Sequence, residues 1–324
     1  MTKIDDEVFS YSMITKIDIP KSITILGRRA FNGCEKLNEI NFPSDSQLEI
    51  ISNECFAETG LTKITIPKTV KKICDKAFFS SLDLNEIIIP EDSELDYFGN
   101  DCSVGNLTSK IFIPKNITKI DSWFFSNNLQ LNEVIFHKDS KIKAFEHGCF
   151  SRTNIQKIII PNSVEVINDM AFDGNQNLDE ISFQENSKLK IIGNHCFSRT
   201  LINQITIPES VEQLGSQIFD NCRNLQKVIF PENSQLKTID VNCFIYSFIR
   251  EISIPKHVKC IKNGTFSFCS NLVKVEFDKD SELVSIEARA FYNSAIQQLI
   301  LPKGIKELKE EWCSKTAKLN FISI

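Results

Sequence analysis

Apolar residues return along this chain with one long, fixed period. Ile19-Pro20, Ile66-Pro67, Ile113-Pro114, Ile160-Pro161, Ile207-Pro208, Ile254-Pro255 and Leu301-Pro302 stand 47 residues apart. Stacked at that period, the sequence falls into columns: Leu37, Leu84, Leu131, Leu178, Leu225 and Leu272 form one, and Ile40, Ile87, Val134, Ile181, Val228 and Val275 another. A period of this length means a repeat architecture, in which each unit buries its apolar face only against its neighbours. Each unit divides again into half-units of 23 and 24 residues, with Ile17 and Ile19 doing in one half what Ile40 and Phe42 do in the other. Residues 1–324 therefore read as a single solenoid domain of about 14 coils. Each coil contributes one short strand whose alternate side chains face the core, and the strands stack into one long curved parallel β-sheet.

The return path is regular too. Ile23, Val70, Ile117 and Val164 are followed three residues on by Leu26, Ile73, Ile120 and Ile167, and then by Ala-Phe pairs such as Ala30-Phe31, Ala77-Phe78 and Ala171-Phe172. Proline directly after the strand ends hydrogen bonding there and turns the chain outward. The Ala-Phe segment is too short for a stable helix, so a helical or 3₁₀ turn is predicted on the return side, joined by irregular segments.

The stretch "IPKSITILGRRAFNGCEKLNEINFP" (residues 19–43), with its L-x-x-I-x-F strand, resembles the BspA-like, treponemal-type leucine-rich repeats, and it does so in every coil. The alternation of its two halves is most similar to the protist surface antigens of that class. The resemblance implies a leucine-rich-repeat solenoid, non-enzymatic binding of a protein or other cell-surface macromolecule, and a secreted or surface location as an adhesin or receptor.

Composition narrows this picture. A chain with 42% hydrophobic and 24% charged residues is that of a folded, soluble protein, and a net charge of −5 offers no footprint for nucleic acid. No run approaches the roughly 18 apolar residues of a membrane helix, so membrane insertion is not expected. The start, "MTKIDDEVFSYSM", shows neither signal peptide nor anchor.

Candidate chemistry begins with His195 beside Cys196, and His147 two residues before Cys149. A thiol–imidazole pair would suit a Cys-dependent hydrolase. The columns argue otherwise. Cys55, Cys102, Cys149, Cys196 and Cys243 share one position with Ala290, which calls for a small apolar side chain. Members of that column lie two coils apart, beyond the reach of a disulfide. His195 falls in a mixed column with Glu54, Asp101, Gly148, Asn242 and Arg289, as a solvated position would. Cys34, Cys222 and Cys269 share a small, polar turn position with Ser81, Asn128 and Asn175, while Cys74, Cys260 and Cys313 stand alone. Without C-x-x-C pairs no zinc site is predicted, and no motif for another metal or cofactor is present. Eleven cysteines in a reduced state fit the cytoplasm. The sequons at Asn106, Asn116 and Asn263 point outward instead.

If function is binding, the outward strand positions carry it. The first outward column alternates in charge: Lys16, Glu39, Lys63, Glu86, Lys110, Glu133, Lys157, Glu180. Opposite charges on neighbouring strands keep a polar sheet in register. The second column turns apolar over Ile88, Phe112, Ile135 and Ile159 between polar flanks. An apolar patch rimmed by charge marks a protein-contact surface. The predicted partner site is therefore Ile88, Phe112, Ile135 and Ile159, with Lys110, Glu133 and Lys157 at its rim. Nearby, the core phenylalanine column breaks at Ser103, and Trp123, Phe124 or Phe98 is expected to fill the gap.

The sequence stops on a strand pattern, "LNFISI", and starts inside a half-unit. Uncapped ends of this kind are expected either of a piece of a longer protein or of an edge that meets another molecule, self-association being one such contact. Beside the leading reading stand an intracellular scaffold, an end-to-end structural assembly and the thiol hydrolase.

Overall fold

The computed structural model describes residues 2–99, 108–316, 319 and 321–323. The chain forms two compact units: Met1–Lys143 with Arg152–Ile155, and Ala144–Ser151 with Gln156–Ile324. Each is a parallel β-solenoid, and no helix occurs among the described residues. Among the described residues fourteen outward strands mark about thirteen turns, close to the coil number read from the sequence.

In the first unit the outward strands join in pairs: Lys16–Asp18 with Glu39–Asn41, Lys63–Thr65 with Glu86–Ile88, and Lys110–Ile113 with Glu133–Phe136. Each pair spans the shorter, 23-residue step (Lys16 to Glu39). In the second unit Lys157–Ile160 pairs with Glu180–Phe183, and the four strands from Gln204–Thr206 to Lys274–Phe277 join in one sheet. Burial follows the pleat: in Lys110–Ile113, Ile111 and Ile113 are buried while Lys110 is exposed.

The return side departs from the predicted single sheet. It carries a second parallel ladder of two-residue strands. Five join in the first unit, from Lys3–Ile4 to Tyr97–Phe98, and eight lie in the second, from Ala144–Phe145 to Glu307–Leu308. The second residue of each points inward, and Leu26, Ile51, Ile73, Ile167 and Ile192 are fully buried. Two residues hold a single in–out alternation, too little for a sequence pattern to read as a strand.

The Ala-Phe segment is not helical either. Within one coil, Ala30, Asn32 and Cys34 donate N–H to the carbonyls of Gly27, Arg29 and Phe31, closing successive β-turns. The intervening residues Arg29, Phe31 and Gly33 donate to Asn53, Cys55 and Ala57 of the next coil at 2.9–3.0 Å. In the second unit Met170, Phe172 and Gly174 donate likewise to Asn194, Cys196 and Ser198. A helix would spend every N–H inside its own segment; here alternate N–H groups bind the neighbouring coil and the backbone is still satisfied. The geometry requires a left-handed residue every fourth position, such as Arg29 (φ 54°) and Gly33 (φ 68°), or His195 (φ 54°) and Arg199 (φ 60°). This corrects the reading of the His195 column. What Glu54, Gly148, His195, Asn242 and Arg289 share is a positive φ, with Asp101 outside the described residues. For non-glycine residues that conformation costs about 1–2 kcal/mol, and the inter-coil bonds offset it.

Inside the coils the phenylalanines stack face to face. Phe9, Phe31, Phe56 and Phe78 stack at 5.3–5.8 Å in the first unit. In the second, Phe150, Phe172, Phe197, Phe219, Phe244, Phe266 and Phe291 continue at 5.2–5.8 Å. Ser103, where the column breaks, lies outside the described residues, as does Cys102. Nearby, Phe124 packs edge-on against Phe98 (5.0 Å) and Phe125 (4.6 Å). Trp123 is 50% exposed with φ 61° and so is not a core filler. A left-handed backbone turns that position outward.

Candidate binding face

The outward charge column assembles as the alternation demands. In the first unit Lys16 lies 2.8 Å from Glu39, Lys63 2.8 Å from Glu86 and Lys110 3.0 Å from Glu133. In the second, Lys157 lies 2.6 Å from Glu180 and Lys227 3.4 Å from Glu251. The carboxylate of Glu180 holds the Lys157 ammonium above its ordinary value, and Lys16 holds Glu39 below the usual carboxylate range. All these groups are solvated, so the ladder sets register more than stability.

The first unit brings four predicted residues together. Phe112 is in register with Ile135, and Lys110 with Glu133. Ile88 lies on the neighbouring strand pair, opposite Thr65. Ile88, Phe112 and Ile135 are half-buried. The second unit carries the other two: Ile159, 59% exposed, faces Ser182, and Lys157 pairs with Glu180. Sequence reasoning missed His137, whose ring meets Phe112 edge-on at 6.4 Å. Its signal was legible, because His137 stands where Pro43, Pro90 and Pro231 occur in other repeats. Also missed was Ile300, 68% exposed on the outward strand Gln298–Ile300.

Where one strand pair gives way to the next, the face opens. A depression of about 560 Å³ in the first unit is lined by Ile40, Phe42, Lys63 and Thr65. One of about 1120 Å³ in the second is lined by Lys157, Glu180, Ser182, Gln204 and Thr206. Of the predicted site, only Lys157 borders either.

The thiols occupy the interior instead. Cys55, Cys149, Cys196 and Cys243 are fully buried, and burial pushes each thiol well above its ordinary value. Among the described residues no hydrogen bond joins His195 to Cys196, which stays protonated in its apolar surroundings. The column of Cys34, Cys222 and Cys269, read as a small polar turn position, is likewise buried. Their Sγ–H groups donate to carbonyls of the preceding coils, Cys34 to Phe9 at 2.9 Å, Cys222 to Phe197 at 3.0 Å and Cys269 to Phe244 at 3.1 Å. Ser81 and Asn175 make the same bond to Phe56 and Phe150. What the column requires is a short side-chain donor, a role that Cys, Ser and Asn all fill. Among the described residues, no cluster of His, Cys, Asp and Glu could hold a metal, and no helix is long and apolar enough to cross a membrane.

Comparison with known structures finds a leucine-rich repeat protein from Bacteroides ovatus, 20% identical with a TM-score of 0.61, covering 99% of this chain and 87% of that one. The pneumococcal vaccine antigen PcpA is 22% identical (TM-score 0.48, 81% of this chain and 72% of that one). A leucine-rich repeat protein of T. pallidum is 20% identical (TM-score 0.40, 62% and 73%). Comparison with the curated proteins gives no significant match. The family model for the BspA-type leucine-rich repeat region matches residues 2–132, 102–219, 141–247 and 190–320. Proteins built from such repeats are commonly protein-interaction modules and generally non-enzymatic. With the period, the coil and the family model in agreement, the chain belongs to the BspA-type leucine-rich repeat family.

Proposed function

We propose that residues 1–324 act as one repeat domain that binds a protein partner, without catalysis, on the outward strand face. The observation that carries this reading is the register pair Phe112 and Ile135, half-buried and bordered by the solvated Lys110–Glu133 ion pair. In other repeats the same column holds Asp18, Asn41 and Thr65, so the apolar residues are not needed to form a coil. An aromatic anchor with an aliphatic neighbour and a charged rim is the chemistry of a protein-contact surface. Ile88, and in the second unit Ile159 with Lys157, extend the candidate set. An adhesin or receptor-like role follows the class of protein that the repeat resembles.

The test is an interaction screen of wild type against Phe112→Asp, with Lys188→Glu as a surface control. Partners bound by wild type and the control are expected to be lost with Phe112→Asp; unchanged binding removes Phe112 from the site. A second reading, an intracellular scaffold using the same face, is favoured by the buried free thiols of Cys55, Cys149, Cys196 and Cys243. Locating the native protein by fractionation separates the two.

A further inference from the structure

The position just before the return-side strands carries a charge in most coils, though not at Thr24, Thr118 or Val284. In the second unit it begins Glu165, Lys190, Glu212, Lys237, with opposite signs on successive coils. The carboxylate of Glu212 lies 3.2 Å from Lys190 and 2.5 Å from Lys237, and the two ammonium groups hold it below the usual carboxylate range. The next coil breaks the alternation: an acid is due, and Lys259 stands there.

The return-side register Ile239↔Ile261, continued two residues back, sets Lys259 beside Lys237 on the adjacent strand. Like charges in that relation repel. Lys237 is shared with Glu212, while Lys259 makes no ion pair among the described residues. The two lysines border a depression of about 520 Å³, with Thr238, Cys260, Lys262 and His257 around it. Its one carboxylate, Glu282, is taken up by the His257 ring at 2.9 Å, and Lys262 lies 3.3 Å from Glu287. His257 is itself a departure from the repeat. In two other coils its place is held by a hydroxyl that donates to a leucine carbonyl, Thr69 to Leu48 (2.7 Å) and Ser210 to Leu189 (2.8 Å).

We propose that this depression binds an oxyanion, a sulfate or phosphate group, held between Lys237 and Lys259 with Lys262 and the Thr238 hydroxyl at its rim. Where the alternation holds, as at Glu212 between Lys190 and Lys237, each ammonium is neutralised by the acid beside it; Lys259 stands beside a second cation instead. A compact ammonium is a good point-charge partner for such a group. This site is separate from the outward strand face, so either reading can fail without the other.

The test is calorimetric titration of the full chain at fixed ionic strength with inorganic sulfate, inorganic phosphate and a heparin-derived hexasaccharide. The variants are Lys259→Glu, which restores the alternation, and Lys188→Glu, which makes the same charge change elsewhere. Wild type and Lys188→Glu are expected to bind at least one probe, and Lys259→Glu about tenfold or more weakly. Tighter binding of the hexasaccharide than of free sulfate identifies a polymer-borne sulfate ester as the source; equal binding identifies the free ion. Without anion at low salt, Lys259→Glu should melt above wild type. No binding by wild type, equal losses in the two variants, or a lower melting temperature for Lys259→Glu would overturn the proposal.

Discussion

The outward strands and the turn edge of each coil invite comparison because they reverse the usual roles of sheet and loop. Along the outward face the first unit's strands hydrogen-bond two by two, and the face opens between pairs. Along the turn edge, alternate N–H groups bond to the next coil from Arg29 to Gly33, and again from Met170 to Gly174. The turn edge also covers the phenylalanine stack, whereas the outward face carries solvated charge. The segment without named secondary structure is thus the more tightly organised one. The regular strands are the side left free to vary, and the apolar substitutions at Phe112 and Ile135 occur there.

That contrast can be broken at several points. The largest effect is expected in the stack. Phe197→Ala should cost about 3–5 kcal/mol in urea denaturation, against little for Phe112→Ala on the outward face; comparable losses would erase the distinction. Next is the buried donor column. Cys222→Ala takes from the Phe197 carbonyl its donor in the next coil, leaving the Thr200 hydroxyl and N–H, and should cost about 0.5–1.5 kcal/mol, while Cys222→Ser should recover most of it, as Ser81 does naturally. Equal losses for Ala and Ser would mean that packing, not the hydrogen bond, sets the position.

A smaller effect is linked to pH. Burial raises the folded-state value of Cys196 above the ordinary 9.0, so its contribution is complete below that value and is lost as pH rises toward the folded one. Stability should therefore fall above about pH 9, and less steeply in Cys196→Ala; equal slopes would place the thiol in contact with water. The smallest effect concerns the left-handed positions. His195→Gly relieves the positive φ at some entropic cost, for a net gain of about 0.5 kcal/mol measured by thermal melting. Destabilisation would mean that the imidazole makes a contact worth more than the strain.

Much of this was legible in the sequence. The columns of Leu37 and Ile40 carry a strong period because every coil needs the same buried volume, and Cys196 could be assigned to the interior since alanine replaces it at Ala290. The alternation from Lys16 to Glu180 likewise became ion pairs. The return ladder was not legible, because a two-residue strand such as Lys72–Ile73 leaves no pattern beyond its one buried residue. Nor were the left-handed positions, since Glu54, His195 and Arg289 share a backbone angle rather than a side-chain property. Only Gly148 and Asn242 in that column hinted at it. The candidate face was legible as a column, but its exposure was not, because Phe112 packs against His137 while Ile159 stands open.

The most direct test of the account is native-state hydrogen exchange, resolved by residue, at Phe172, Phe197 and Phe219. Their amides donate to Cys196, Ile218 and Cys243 of the neighbouring coils. The account predicts protection at these three positions as strong as in the outward strand Lys157–Ile160. Exchange as fast as in an open loop would contradict it, for the turn edge would then not be a hydrogen-bonded ladder at all.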